Sequence, residues 1–173
     1  RRPGYVCCFV LGPLKPLSME DPDAVLSGFA NPKMGEWING AIDSDLEEKG
    51  AFDATAPYRD GARLVQAEGG TYLRPTIIHC DSMNHSLSNR EFLCPYASVV
   101  EVPQSKMLRA IGPTLVVTAI TKDESFKQKL LSASNIERLN LGPISTMKIS
   151  WDQPHEGNMF EFLYKRRSIG MAA

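Results

Sequence analysis

Met34, Trp37, Ile38, Ala41, Ile42 and Leu46 recur at i, i+3, i+4, i+7, i+8 and i+12, the spacing of a single apolar helix face. The spacing predicts a helix over 34–46 with Trp37 in the core. Gly50 stops it, where a left-handed residue would follow the last turn. The period then shortens. Residues 62–66 and 72–79 read as strands, separated by Glu68-Gly69-Gly70, whose glycines permit a tight turn. Residues 98–102 and 114–120 are nearly continuous in apolar side chains, which predicts strands buried on both faces, as in a parallel sheet. Between them Gln104–Ile111 has the length and pattern of a helix. Thr121-Lys122-Asp123-Glu124 reads as a capping box opening a helix that turns Phe126, Leu130 and Leu131 inward. A last short strand is expected at 138–141, ended by Gly142-Pro143.

Strand, helix, strand, helix, strand is the order of crossover units that lay helices on both faces of a sheet. The expected fold is therefore α/β, a three-layer α/β/α sandwich with a mainly parallel sheet. A chain of 173 residues without internal repeat, low-complexity tract or interior linker fits one domain. At one end, residues 1–16 set Pro3, Gly4, Gly12, Pro13 and Pro16 around one apolar patch and read as a strand or irregular arm. Asp21-Pro22-Asp23 then opens a short helix, with Asp as cap and Pro at the first position. At the other end, 156–167 predicts a helix carrying Met159, Phe160, Leu163 and Tyr164 on one side, with Lys165-Arg166-Arg167 suited to the negative end of its dipole.

Charge narrows the partners. A formal net charge of -1 gives no global basic field, so nucleic acid is not an expected partner, and the basic triplet reads as a solvated helix end. The apolar run from Tyr5 to Leu11 is too short to span a bilayer and lacks a signal-peptide cleavage pattern, so a soluble protein with no membrane partner is expected. Cys7, Cys8, Cys80 and Cys94 show no C-x-x-C spacing, which favours a reducing cytoplasm and no metal site. His79, Cys80, His85 and Cys94 are the side chains from which a metal cluster or thiol–imidazole pair would be built. His79 and Cys80, as strand neighbours, point to opposite faces, so a structural role is favoured. Asp152, His155, Glu156 and Asn158 either line a pocket mouth or belong to a polar loop. Met147-Lys148-Ile149-Ser150 alternates up to Trp151, as a strand pairing with a partner subunit would.

One stretch carries the most chemistry. Asn89-Arg90-Glu91-Phe92-Leu93-Cys94-Pro95 follows Pro75-Thr76 and precedes the apolar run from Ala97 to Val102. In this arrangement the chain resembles the aldehyde dehydrogenase superfamily, whose catalytic domain carries a Pro-Thr strand and then Glu-x-Phe-Gly-Pro before another strand. The likeness runs from about Asn31 to Asn140 in the family's order. It takes in the helix with Trp37, Gly50-Ala51, Arg63-Leu64-Val65, Pro75-Thr76, Glu91 to Pro95, the strand ending in Thr121-Lys122-Asp123, and Asn140.

The resemblance implies an oxidoreductase that uses NAD or NADP to oxidise an aldehyde to an acid through a cysteine thiohemiacetal. It implies that Glu91 holds the ribose hydroxyl pair of the cofactor. A carboxylate suits two adjacent hydroxyls, since each oxygen accepts one charge-assisted hydrogen bond. Leu93 stands where the family has an aromatic ring near the nicotinamide, and Cys94 where it has glycine. Trp151 to Asn158 replaces the usual Pro-Phe-Gly-Gly stretch, which marks a divergent branch and leaves the aldehyde open. Cys7 and Cys8 faintly resemble the Gly-Gln-x-Cys setting of the family nucleophile, but they lie too close to Pro75-Thr76, and burial is the commoner fate of cysteine in an apolar run.

The chain contains no Gly-x-Gly-x-x-Gly or other phosphate loop. By the resemblance, residues 17–173 are a fragment of a catalytic domain, lacking an N-terminal cofactor domain, a general-base glutamate and the nucleophile. Such a fragment is expected to be inactive, to bind no cofactor alone, and to join a homo-oligomer. The alternatives are a non-catalytic binding or oligomerisation module that retains the fold, and a thiol hydrolase using Cys94 with His79 or His85.

Overall fold

The computed structural model describes residues 28–67 and 69–145. The expectations for the arm, the helix at Asp21, residues 147–151 and the basic tail helix lie outside the described residues. So do Cys7, Cys8 and the stretch from Trp151 to Asn158. The described residues form two compact units, one ending at Val102 and the other beginning at Pro103.

The first unit is organised by helix α1, Pro32–Asp45. Asn31 caps it, its side-chain oxygen accepting from the Lys33 N–H at 3.1 Å, and Pro32 takes the first position, where no N–H is needed. The buried line is Gly35, Ile38 and Ile42. This is narrower than the apolar pattern predicts, because Met34 is 49% and Trp37 60% exposed. Trp37 lies about 100° around the helix from Ile38, so it sits at the rim when Ile38 points at the sheet. Gly35 is the point of closest approach: a Cβ there would stand 2.8 Å from the Phe29 ring and 3.0 Å from Leu64.

Two three-stranded sheets share this unit. Strands β1 (Gly28–Phe29), β3 (Leu64–Ala67) and β4 (Gly70–Leu73) form an antiparallel sheet in the order β1-β4-β3. The β3–β4 hairpin turns through Gly69, whose φ of +98° needs glycine. Strands β2 (Ala51–Asp53), β5 (Thr76–Cys80) and β6 (Tyr96–Val100) form the second, in the order β2-β5-β6. There β2–β5 is antiparallel and β5–β6 parallel. The single strand expected at 72–79 is thus two. Pro75 has no N–H for a ladder, so pairing lapses between Leu73 and Thr76 and the chain passes from one sheet to the other. All five residues of β5 are buried, and Ile38, Ile42, Leu73, Ile78, Cys80 and Leu87 form the core.

The second unit contains helix α2 (Gln104–Ile111), strand β7 (Thr114–Ala119), helix α3 (Glu124–Leu131) and strand β8 (Ile136–Leu141). β7 and β8 pair in parallel, as the crossover pattern predicts, with Val116 opposite Arg138 and Ala119 opposite Leu141. The cap of α3 is Asp123 and not Thr121. The Asp123 carboxylate accepts from the Phe126 N–H at 3.1 Å, while Thr121 Oγ1 accepts from the Asp123 N–H at 3.1 Å, which sets the chain one turn ahead of the helix. Leu130 is buried at 2% exposure but Leu131 is 59% exposed, because adjacent residues of a short helix cannot both face one sheet. Nor is β7 buried on both faces: Leu115 is 44% exposed, and Ile120, beyond the strand end, 76%. The class is α/β, with mixed sheets in place of the expected run of parallel pairs. Among the described residues no helix is long and apolar enough to cross a membrane.

Candidate functional site

The loop between the single turn of 3-10 helix at Ser86–Asn89 and β6 carries Glu91 and Leu93. Its backbone is tied at both ends. Arg90 Nε donates to Asp45 Oδ2 of α1 at 3.1 Å, and the Thr76 N–H donates to the Pro95 carbonyl at 2.8 Å. Between these ties the chain folds tightly, the Cys94 N–H reaching the Phe92 carbonyl at 2.8 Å and the Tyr96 N–H the Cys94 carbonyl at 2.7 Å. Phe92 is the wedge. Its ring packs edge-on between Trp37, with centroids 6.2 Å apart, and Tyr96, at 5.0 Å, and it rests against the core. With Phe92 turned in, its neighbours turn out: Glu91 is exposed and Leu93 is 95% exposed. An apolar side chain so fully offered to solvent on an anchored loop is unusual for a packing residue.

Tyr96 steadies the loop from beneath. Its hydroxyl donates to the Leu87 carbonyl at 3.0 Å, the same carbonyl that accepts from Ser98 Oγ at 2.6 Å. Burial pushes the Tyr96 phenol above its ordinary value, a shift that the Ser98 hydrogen bond only partly offsets.

The described histidines and cysteines, His79, His85, Cys80 and Cys94, are built into the fold. His85 Nδ1 accepts from the Leu87 N–H at 3.1 Å and so caps the 3-10 turn, leaving Nε2–H to face the Glu48 carbonyl at 3.3 Å. Both nitrogens are therefore engaged. His79 is buried in β5, stacked on Phe52 with centroids 5.0 Å apart, and its Nδ1 stands 3.6 Å from Asp81. Cys80 points to the opposite face, into the core, as the strand alternation predicts. Burial, with the nearby charges of Asp81 and Glu48, pushes the Cys80 thiol up, and burial does the same to Cys94. A nucleophilic thiol needs the opposite shift, so neither suits a hydrolase. Among the described residues no group of three His, Cys, Asp or Glu side chains is placed to hold a metal ion.

One cluster is not visible in the sequence pattern. Asp53, at the end of β2, accepts from the Thr55 N–H at 2.9 Å, from the Ala56 N–H at 3.1 Å, from Arg63 at 3.1 Å and from Arg59. Arg59 also donates to Thr55 Oγ1 at 2.7 Å, and Arg63 to Asp43 of α1 at 2.8 Å. The Asp53-Ala54-Thr55 order is a turn signal, but nothing local brings in two arginines 6 and 10 residues on. The cluster welds α1, β2 and the loop before β3 together.

No protein-family model matches the chain, and no curated protein matches it. Solved structures do. An indole-3-acetaldehyde dehydrogenase in complex with NAD+ superposes with a TM-score of 0.58 at 19% identity, over 77% of this chain and 27% of that one. Lactaldehyde dehydrogenase from Escherichia coli superposes with a TM-score of 0.56 at 16% identity, over 73% of this chain and 26% of that one. The glyceraldehyde-3-phosphate dehydrogenase GapN from Methanocaldococcus jannaschii, complexed with NADP, gives 0.58 at 16% identity, over 75% and 26%. The fold is that of part of an aldehyde dehydrogenase, as the sequence resemblance implies. The chain spans 26–27% of the length of these structures.

Proposed function

We propose that this chain supplies the Glu91 face of the catalytic domain of a divergent NAD- or NADP-dependent aldehyde dehydrogenase, a soluble, cytoplasmic enzyme that oxidises an aldehyde to an acid. The observation that carries the reading is the anchored loop. Phe92, Arg90 and Pro95 hold the backbone, and they leave the Glu91 carboxylate and the Leu93 side chain facing outward. A carboxylate held this way accepts one hydrogen bond at each oxygen from neighbouring ribose hydroxyls, and Leu93 adds apolar contact beside it. The nicotinamide, when bound, takes up hydride. Orientation of the ribose is this chain's share of the work.

The phosphate loop, the general base and the thiol that forms the thiohemiacetal come, in this reading, from other polypeptide. The sequence has no phosphate loop, and the Cys80 and Cys94 thiols are pushed up by burial. A cofactor domain is the partner the reading requires, and a homo-oligomer its setting. The crossovers from α2 to β8 are the part of a three-layer, mainly parallel sandwich that the reading places here.

The chain alone is expected to show no NAD- or NADP-dependent turnover of short or aromatic aldehydes and to hold no whole dinucleotide, the Glu91 contact by itself giving only weak affinity for the nicotinamide mononucleotide half. Binding followed by ligand-observed NMR tests this: Glu91→Gln should weaken it roughly tenfold, the order of a lost charge-assisted hydrogen-bond pair. Unchanged binding in Glu91→Gln removes the glutamate from the site.

A second reading is a non-catalytic binding or oligomerisation module retaining the fold. It is favoured by Leu93 where a ring is expected, by Cys94 where glycine is expected, and by the missing phosphate loop. Self-association in light scattering without any nucleotide binding would select it.

A further inference from the structure

His85 caps the Ser86–Asn89 turn from an extended backbone, with its side chain only 3% exposed. The ring is held in one tautomer. The Leu87 N–H can only donate, so the Nδ1 that stands 3.1 Å from it carries a lone pair; the proton of the neutral ring is then on Nε2, facing the Glu48 carbonyl at 3.3 Å. The turn fastens the core to β6. Leu87 is fully buried, and its carbonyl accepts from the Tyr96 hydroxyl and from Ser98 Oγ. The charges that face the ring are carboxylates. Glu48 Oε2, on the chain after α1, stands 3.9 Å from Nε2 with its side chain 56% exposed. From the end of β5, Asp81 Oδ2 comes within 3.9 Å of the position a Gly50 Cβ would take, and His85 Cδ2 within 4.0 Å of the same point. The Cys80 thiol packs in the core with Leu87 and feels both acids. On the β6 side stands Tyr96, flanked by Asp45 and Arg90, which pair with each other at 3.1 Å.

We propose that His85 is a proton-sensitive catch: neutral, it holds the Ser86–Asn89 turn closed, and on protonation it releases the Leu87 N–H and pairs with Glu48. One proton is taken from solvent, at Nδ1. That nitrogen then carries an N–H in place of its lone pair, so two donors face each other across 3.1 Å. The cap is lost, and the buried Leu87 N–H is left without a partner, which costs more than the hydrogen bond was worth. Glu48 gives the charged ring somewhere to go. Its carboxylate is too far from Nε2 for a hydrogen bond in the closed turn, but a small rotation of the two side chains brings cation and carboxylate together. The closed turn is therefore complete while the ring is neutral and is lost as pH falls and the ring charges. Opening frees residues 86–89, next to the loop that starts at Arg90. The catch is a property of the turn and does not depend on the role given to Glu91.

The test is amide hydrogen exchange on the full 173-residue chain, read by NMR as protection relative to the free-chain rate at the same pH. Between about pH 8 and about pH 5, the span in which histidines change charge, protection of the Leu87 N–H should fall roughly tenfold, the order of one lost hydrogen bond. That of Ile78, in the middle of β5, should hold. His85→Asn keeps a side-chain oxygen that can cap the turn without titrating, so Leu87 should stay protected at both pH values. Glu48→Gln removes the carboxylate that receives the charged ring and should move the fall to lower pH. Equal protection of Leu87 at both pH values in the wild type overturns the proposal. So does a fall that survives in His85→Asn, which would belong to His79 or to a carboxylate. A fall at the same pH in Glu48→Gln overturns the pairing with Glu48. The nitrogen shifts of the His85 ring give a reading on the wild type that no variant can confuse: Nδ1 bare at about pH 8 is expected, and Nδ1–H at that pH overturns the catch outright.

Discussion

Arg59 and Asp53 form an ion pair almost sealed from solvent, their side chains 10% and 7% exposed. Arg63, 9% exposed, completes the group from the other side at 3.1 Å. A buried pair is costly to assemble, since both charges are desolvated, but more costly to break, because the orphaned guanidiniums remain. Asp53→Ala should therefore lower the unfolding free energy by about 3–5 kcal/mol. Urea unfolding checks this. A loss well under 1 kcal/mol would mean that solvent already screens the group.

The same carboxylate sets an acid limit. Burial alone would raise the Asp53 pKa, but hydrogen bonds from Arg59 and Thr55, the Arg59 charge and the Arg63 hydrogen bond together hold it below its ordinary value. A group whose folded pKa is depressed contributes stability that is fully present above its unfolded pKa and is lost as pH falls through the folded pKa. The urea midpoint should thus fall on the acid side of the ordinary aspartate range. Asp53→Asn should flatten that part of the profile; an unchanged acid slope in Asp53→Asn would assign the loss to other carboxylates.

Two glycines of α1 should respond in opposite directions. Gly35→Ala places a Cβ 2.8 Å from the Phe29 ring and should cost about 1–3 kcal/mol by overpacking. Gly40→Ala meets nothing within 4 Å and should stabilise by about 0.5–1 kcal/mol, because alanine loses less backbone freedom in a helix. Thermal melts of the two variants provide the comparison, and equal effects would refute the packing of α1 on β1 and β3.

Ile42 and Trp37 belong to one apolar pattern but to different environments. Ile42 is 0% exposed, so Ile42→Ala should cost about 2–5 kcal/mol, whereas Trp37→Ala should cost about 1 kcal/mol, the worth of an edge-on ring contact. If the tryptophan variant proves the worse of the two, Trp37 is a core residue.

Alkylation reads the thiols. Cys80 is fully buried and Cys94 partly so, with both thiols pushed above their ordinary value. Iodoacetamide should label Cys94 slowly and Cys80 only on unfolding, with rates that rise with pH. Rapid modification of Cys94 at neutral pH, seen by peptide mass spectrometry, would revive the thiol as a nucleophile.

Periodicity alone determined most of the elements of this chain. The 3.6-residue recurrence around Ile38 and Ile42 marks α1, length and pattern mark Gln104–Ile111, and the apolar run at 114–120 marks β7. These are local properties, decided within a few residues. The likeness of the fold to part of an aldehyde dehydrogenase was legible too, through the order of residues from Asn31 to Asn140. Tertiary structure decided the rest, because it depends on partners distant in sequence. Trp37 matches the apolar stripe, yet which edge of that stripe meets the sheet depends on where Phe29 and Leu64 stand against Gly35. The break of 72–79 at Pro75 follows from a missing N–H, but the transfer to a second sheet needs β2 and β6 to receive β5. The Asp53 cluster joins side chains from a strand, a turn and a helix, and no spacing along the chain announces such a meeting: ion pairs of this kind are selected by the geometry of burial, which exists only once the elements have packed.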